Sequence, residues 1–413
     1  MMQPLIPFNA LRYNPEKIKD MSEVITPPYD VIGPLEQERF YRKSKYNVIR
    51  MVLGRKERGD GPGDNQYTRA RNFLNTWLEK RILIREKEEA LYFLKQEFDW
   101  SGQKKSRRGI IGVFALDASA RVRPHEHTIA SPREDRFSLL SACQTNFSPV
   151  FMLYSDSQRQ DLNLWARVEE REPLHDFLGP DNTRQILWKV TDPEILQAVQ
   201  AIWRGKHFLI ADGHHRFEVA LSYFKENPWA NTLLTCVSTW EDEGLLILPT
   251  HRIVEGIEWA GLPPVMERYF SIEEKAVDLK EGQSPVRSGI GMLTPERKFY
   301  LLQLKDESIM EVLLPTFSPV YRRMEVVVLE RLIIEKILGV QQDGRKKISY
   351  TRSIEEAAKT TSQNQSSVAF FLPCPRSMVV EAVVEHGERL PQKTTYFYPK
   401  LPSGLVMNLL EQR

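Results

Sequence analysis

The densest chemistry in the chain lies at Ile210-Ala211-Asp212-Gly213-His214-His215-Arg216-Phe217, where one glycine and four polar side chains join an apolar run to an amphipathic one. A helix that starts at such a place presents unpaired backbone N–H groups and the positive end of its dipole, which together favour an anion. Arg216 and the two histidines add side-chain donors, and Gly213 lets a ligand approach the backbone. Three roles are open to Asp212: capping the helix, orienting a histidine, or holding Mg²⁺. The plain alternative is an Asp N-cap with exposed histidines.

Three further segments carry similar groups. Arg123-Pro124-His125-Glu126-His127-Thr128 precedes Pro132-Arg133-Glu134-Asp135-Arg136. In extended chain His125 and His127 project to one side, which suits a metal pair or a phosphate-binding and acid–base pair. A solvated charged loop fits the same residues. Leu248-Pro249-Thr250-His251-Arg252 ends a strand-like run with a His–Arg pair, and Pro391–Lys400 mixes basic, hydroxyl and aromatic groups. There Lys393 either meets a phosphate or guards a sheet edge. Because each cluster gathers polar groups at an element end, His125, His214 and His251 are expected to share one cleft. No P-loop, G-x-S-x-G or H-E-x-x-H pattern occurs, and the glycines of Arg55–Asn65 have the wrong spacing for a dinucleotide loop.

The elements that must position these groups alternate in type. His207–Ala211 is a short apolar run, as in a buried strand, and Phe217, Ala220, Leu221 and Phe224 recur at helical spacing after it. Before it, the pattern predicts extended chain and turns over residues 1–34, a helix over Glu36–Lys45 and a strand over Tyr46–Gly54. A further helix is expected around Ala70–Leu78, and strands over Ala90–Trp100 and Ile110–Leu116 flank a Ser101-Gly102-Gln103 turn. Helices are expected over Asp161–Glu172 and Asp192–Trp203, and strands over Leu233–Thr239 and Leu245–Leu248. Pro263-Pro264 is the boundary candidate, dividing residues 1–262 from 263–413. Beyond it come strands over Met292–Leu304, Glu311–Leu314 and Val368–Leu372, and helices over Met324–Leu338 and Ser377–His386. This mixture implies an α+β, mixed α/β fold.

With 413 residues the chain is long enough for two or three domains, and 41% hydrophobic residues support a core. Fifty-seven basic against 55 acidic residues, a net charge of +2, argues against a nucleic-acid coat protein. Cys143, Cys236 and Cys374 are too few and too far apart for a disulfide scaffold or a cysteine zinc site, which suits a reducing cytoplasm. No apolar run reaches the ~18 residues of a membrane span, and the first residues lack a signal-peptide pattern. A cytoplasmic protein with no membrane partner is the expectation; oligomeric state stays open.

Blocks along almost the whole chain resemble the bacterial and archaeal family catalogued as domain of unknown function 1015. They include Pro27-Pro28-Tyr29-Asp30-Val31-Ile32, Pro124-His125-Glu126, Asp135-Arg136, Asn146 with Ser148-Pro149, Ala211–Arg216, Pro249-Thr250-His251-Arg252 and Lys393–Leu401. Thr394 departs from the serine more usual there. The Asp-Gly-His-His-Arg block is also similar, over about ten residues, to the phosphate turn of the ParB/sulfiredoxin superfamily, which includes free-serine kinases. That likeness implies a ParB/sulfiredoxin-like core and a nucleotide-dependent kinase using ATP or ADP with Mg²⁺, its acceptor the hydroxyl of free serine or a similar small molecule. Phosphate contacts would fall to Gly213, His214, His215 and Arg216, with His251, Arg252 and Lys393 behind them. Asp212 and Glu126 would serve as base or Mg²⁺ carboxylates, with His125 beside them and Asp30 a third carboxylate. Two other classes remain: a metal-dependent hydrolase using His125, His127, His214, His215 and Asp212, and a non-enzymatic nucleotide-binding regulator.

Overall fold

A computed structural model describes residues 4–126, 130–257, 262–277, 284–340 and 347–410. By internal contacts the chain divides into two compact units. The first comprises Met1–Arg123, Thr128–Leu245 and Pro399–Arg413; the second comprises Pro124–His127 and Leu246–Tyr398. Pro263-Pro264 lies inside the second unit, in the short helical segment Leu262–Met266. The last fifteen residues thus belong with the beginning of the chain.

The first unit is built on a nine-stranded sheet. Its strands are β1 (Leu5–Ile6), β2 (Leu91–Trp100), β3 (Gln103–Ala115), β4 (Val122–Pro124), β5 (Val150–Tyr154), β6 (His175–Leu178), β7 (Arg184–Val190), β8 (Phe208–Asp212) and β9 (Thr232–Thr239). The spatial order is β4-β8-β5-β9-β3-β2-β7-β6, with β1 beside β3. Strands β9 and β5 run parallel, while β8 and β5 run antiparallel. Ser101 and Gly102, both at positive φ, turn β2 into β3 as a two-residue hairpin with the right twist requires.

One face of this sheet is apolar. Phe93, Ile110, Phe114, Val150, Met152, Ile186, Trp188, Ile210 and Val237 form a core closed by helices α1 (Asp161–Glu169), α2 (Pro193–Trp203) and α3 (His214–Glu226) through Trp165, Trp203 and Phe217. Helix α2 opens as its sequence dictates: Asp192 caps the N–H groups of Glu194 and Ile195, and Pro193 holds the first position. Strand alternation turns the neighbouring residues Gln185, Gln96, Phe151 and Cys236 to the opposite face.

The second unit holds a six-stranded antiparallel sheet, β12-β14-β13-β16-β11-β15, and a separate two-stranded ribbon of β10 with β17. These strands are β10 (Leu246–Leu248), β11 (His251–Glu255), β12 (Phe270–Glu274), β13 (Ile290–Leu293), β14 (Phe299–Leu304), β15 (Lys347–Thr351), β16 (Ser367–Phe371) and β17 (Tyr396–Tyr398). Ile253, Leu293, Ala369 and Phe371 pack against the helix Ile354–Gln363 on one face.

Three local expectations fail, each for a physical reason. Tyr46–Gly54 contains a helical turn, Ile49–Val52, not a strand. Asn47 accepts from the Ile49 N–H and donates to the Glu23 carbonyl, and Ile49, Met51 and Val52 are buried, so tertiary burial overrides β propensity. Met292–Leu304 is a hairpin of two strands, turned at Thr294–Lys298. Glu311–Leu314 falls within the helix Ser308–Leu313 and its cap, whose alternation is too short to distinguish periods.

Candidate functional site

Asp212 ends β8 opposite Phe151 after a register shift at Ala211, a bulge that re-aims the side chain at the strand's end. Gly213 follows at φ +96°, a left-handed conformation that suits glycine, and any Cβ there would meet the Arg216 guanidinium at 2.9 Å. Gly213 is the N-cap residue of helix α3 and has no side chain with which to cap it. Asp212 is therefore not the N-cap. It accepts from Arg216 Nη2 at 2.6 Å through one carboxylate oxygen, and from Lys400 Nζ through the other. Arg216 also donates to the Pro149 carbonyl.

The side chains of Lys400, Asp212 and Arg216 are only 10%, 17% and 12% exposed, so solvent screens this cluster weakly. Burial pushes the Asp212 carboxyl up. The charges of Lys400 and Arg216 outweigh it, with His214 adding to them, and hold the group well below the usual carboxylate range. His214 is buried at the first helical position and His215 is half-buried. Beside Arg216, Tyr29, Arg136, Asn146 and Ser148 line a cavity of about 50 Å³. There Arg136 lies 3.8 Å from the Tyr29 ring and pairs with Asp135. Asp30 sits exposed in the turn Tyr29–Val31.

Lys400 was not singled out by its sequence, yet the fold brings it here. Ser403 holds Thr26 through a 2.8 Å backbone bond and Ser148 through a 2.6 Å hydroxyl contact, and Gly404 N donates to the Phe147 carbonyl. Buried Gln96 donates to the Lys400 carbonyl at 3.1 Å and accepts from Arg107. Arg107, 2% exposed, stacks 4.5 Å from the Phe151 ring.

The second unit gathers a different set. His125 Nε2 lies 2.7 Å from Thr395 Oγ1, and Glu126 Oε1 accepts from both the Thr395 N–H, at 3.0 Å, and its hydroxyl, at 2.9 Å. His251 and Arg252 point to opposite faces of β11. His251 accepts from the Leu372 N–H through Nδ1, and burial with the nearby Arg252 charge lowers its pKa to about 4. Arg252, fully buried, donates to the Thr250 and Gln392 carbonyls and feels Glu330 and Glu126. Burial lowers its pKa and raises that of Glu330. Lys393 is exposed at φ +54°. His125 and His251 therefore lie in this unit and His214 in the other, and His127 falls outside the described residues.

Cations hold both Asp212 oxygens, and the described residues contain no group of three or more His, Cys, Asp or Glu placed to hold a metal. Among the described residues no helix is long and apolar enough to cross a membrane.

No curated protein matches the chain. Among solved structures, a conserved hypothetical protein from Pyrococcus furiosus aligns at 14% identity over 71% of this chain and 93% of its own, with a TM-score of 0.38. A free serine kinase in complex with AMP aligns at 12% identity over 70% and 86%, TM-score 0.38. SbnI with a C-terminal truncation, from Staphylococcus aureus, aligns at 13% identity over 71% and 87%, TM-score 0.39. The family model described as "Protein of unknown function (DUF1015)" matches residues 5–327, and the chain belongs to that family.

Proposed function

We propose that the first unit binds the phosphates of a nucleotide, ATP or ADP, at the Asp212–Arg216 turn and transfers a phosphoryl group to a small-molecule hydroxyl, with free serine the first acceptor to test. The observation that carries this is the Lys400–Asp212–Arg216 cluster at the start of helix α3. Two cations held by one carboxylate leave a net positive charge at the start of a helix, which is the chemistry phosphate oxygens need. The similarity of the Asp-Gly-His-His-Arg block to phosphate turns supports the same reading.

Phosphoryl transfer asks for clamping and charge stabilisation more than for covalent chemistry. Lys400, Arg216 and the first N–H groups of α3 supply the clamp. A carboxylate held so acidic takes up a proton poorly, so Asp212 organises the two cations, and His214 and His215 have the side-chain type suited to accept the hydroxyl proton. Mg²⁺, where the nucleotide brings it, would lie on the phosphates; the clamp does not depend on a metal held by the protein. His125, Glu126, His251, Arg252 and Lys393 belong to the second unit, and the proposed clamp is built from first-unit groups.

The test is a thermal-shift screen of nucleotides with and without Mg²⁺, followed by detection of phosphorylated product with serine and related hydroxyl compounds. Nucleotide-dependent stabilisation with product formation supports the kinase. Stabilisation without any product identifies a nucleotide-binding regulator, and no stabilisation removes the phosphate reading.

A further inference from the structure

A buried polar network crosses one face of the first-unit sheet. Gln96 on β2 is the cross-strand partner of Gln185 on β7 and of Arg107 on β3. Its Nε2 donates to Gln185 Oε1 at 3.1 Å and to the Lys400 carbonyl at 3.1 Å, while its Oε1 accepts from Arg107 Nη2. Gln185 in turn donates to the Thr183 carbonyl. Gln96 and Gln185 are each 1% exposed and Arg107 2%. The three partners fix which way the Gln96 amide faces, since only its NH₂ end can serve both acceptors.

Stability alone does not explain this. The opposite face of the same strands is filled with apolar residues, and a buried arginine gains less than a well-packed hydrophobe of similar volume. Arg107 Nη1 has no hydrogen-bond partner among the described residues, and burial lowers the guanidinium pKa to about 10. What the network does uniquely is hold the backbone of Lys400, whose ammonium meets Asp212.

We infer that Gln96, backed by Arg107, is a positioning residue that sets where the Lys400 ammonium stands in the phosphate clamp. This rests on the function proposed above and adds residues to it that touch no ligand themselves. Arg107 presses Oε1 of Gln96 to one side, so Nε2 faces the tail, and the Lys400 side chain then leaves a fixed backbone toward Asp212. A clamp cation held this way loses little freedom on meeting phosphate, so its alignment appears as affinity.

The experiment is a double-mutant cycle read by titration with ADP and with inorganic phosphate. Gln96→Met removes donor and acceptor; Gln96→Glu keeps an acceptor for Arg107 but cannot donate to Lys400, and serves if the first variant fails to fold. Each should weaken binding about tenfold in the wild-type background and less than about twofold in Lys400→Ala. An equal loss in both backgrounds, or none in either, overturns the inference. If the wild-type chain binds neither probe, the phosphate reading fails while this one is still decided by acid unfolding. Asp212 is held acidic by Lys400, so wild-type stability should fall more steeply below about pH 4 than that of Gln96→Met; equal slopes would contradict the positioning role.

Discussion

Asp212 in the first unit, half-buried, and Arg252 in the second, fully buried, are both charged groups, but their surroundings treat charge in opposite ways. Around Asp212, two cations overcome the cost of burial and keep the carboxylate ionised. Around Arg252, burial dominates: the guanidinium is lowered, Glu330 is raised, and His251 is neutral at physiological pH. The Thr395 hydroxyl and N–H likewise spend their bonds on His125 and Glu126, within the unit. A cluster that stabilises fixed charge at the start of a helix is suited to a charged ligand. One whose donors end on backbone carbonyls is suited to holding strands together. The same residue types thus carry different meanings in the two units.

Asp212→Asn should have the largest effect. It leaves Lys400 and Arg216 buried without their counter-charge, and should cost about 3 kcal/mol in urea unfolding. The released cations should bind phosphate more tightly while product formation falls; weaker anion binding in a folded variant would show that Asp212 itself faces the ligand. Arg216→Lys comes next, weakening nucleotide binding by about 1–3 kcal/mol, because one ammonium cannot serve both Asp212 and Pro149 and still present a planar fork. Its stability should fall too, by about 1 kcal/mol, since both contacts are internal.

The smallest effects separate the Asp212 cluster from the buried histidines by pH. His251 is neutral in the folded chain at pH values where the unfolded chain is protonated, so its share of stability falls as pH drops from about 6.5 toward 4. His175, lowered to about 4 by burial and Arg12, behaves alike in the first unit. Asp212 acts in the same sense at lower pH: its depressed pKa contributes stability that persists above about pH 4 and is lost below it. His251→Gln should therefore flatten the pH 7-to-5 loss by on the order of 1–2 kcal/mol, and Asp212→Asn should flatten only the loss at lower pH. Interchanged windows would refute the contrast between the two regions.

The strand, turn and helix at Phe208–Glu226 were legible because an apolar run, a glycine and a helical stripe follow in order, each reporting on local structure. The partners of Asp212 were not. Lys400 is one lysine between two prolines a long way downstream, with no periodicity to mark it. Arg107 sits in Lys104-Lys105-Ser106-Arg107-Arg108, which reads as solvated chain, so β3 was expected to start at Ile110 instead of Gln103. Only pairing with β2 and the cover of other segments bury it. The His–Arg pair at 251–252 misled in the other direction: adjacent residues in a strand face opposite sides, and neither one's neighbours are visible in sequence.

The central claim is that Lys400 and Arg216, gathered on Asp212, form the anion clamp of the first unit. Calorimetric titration of ADP onto the wild-type chain and onto Lys400→Met, at fixed ionic strength, tests it most directly. The account predicts saturable one-to-one binding to the wild type, weakened at least about tenfold in Lys400→Met with the fold retained. Equal affinity in the two proteins would contradict it.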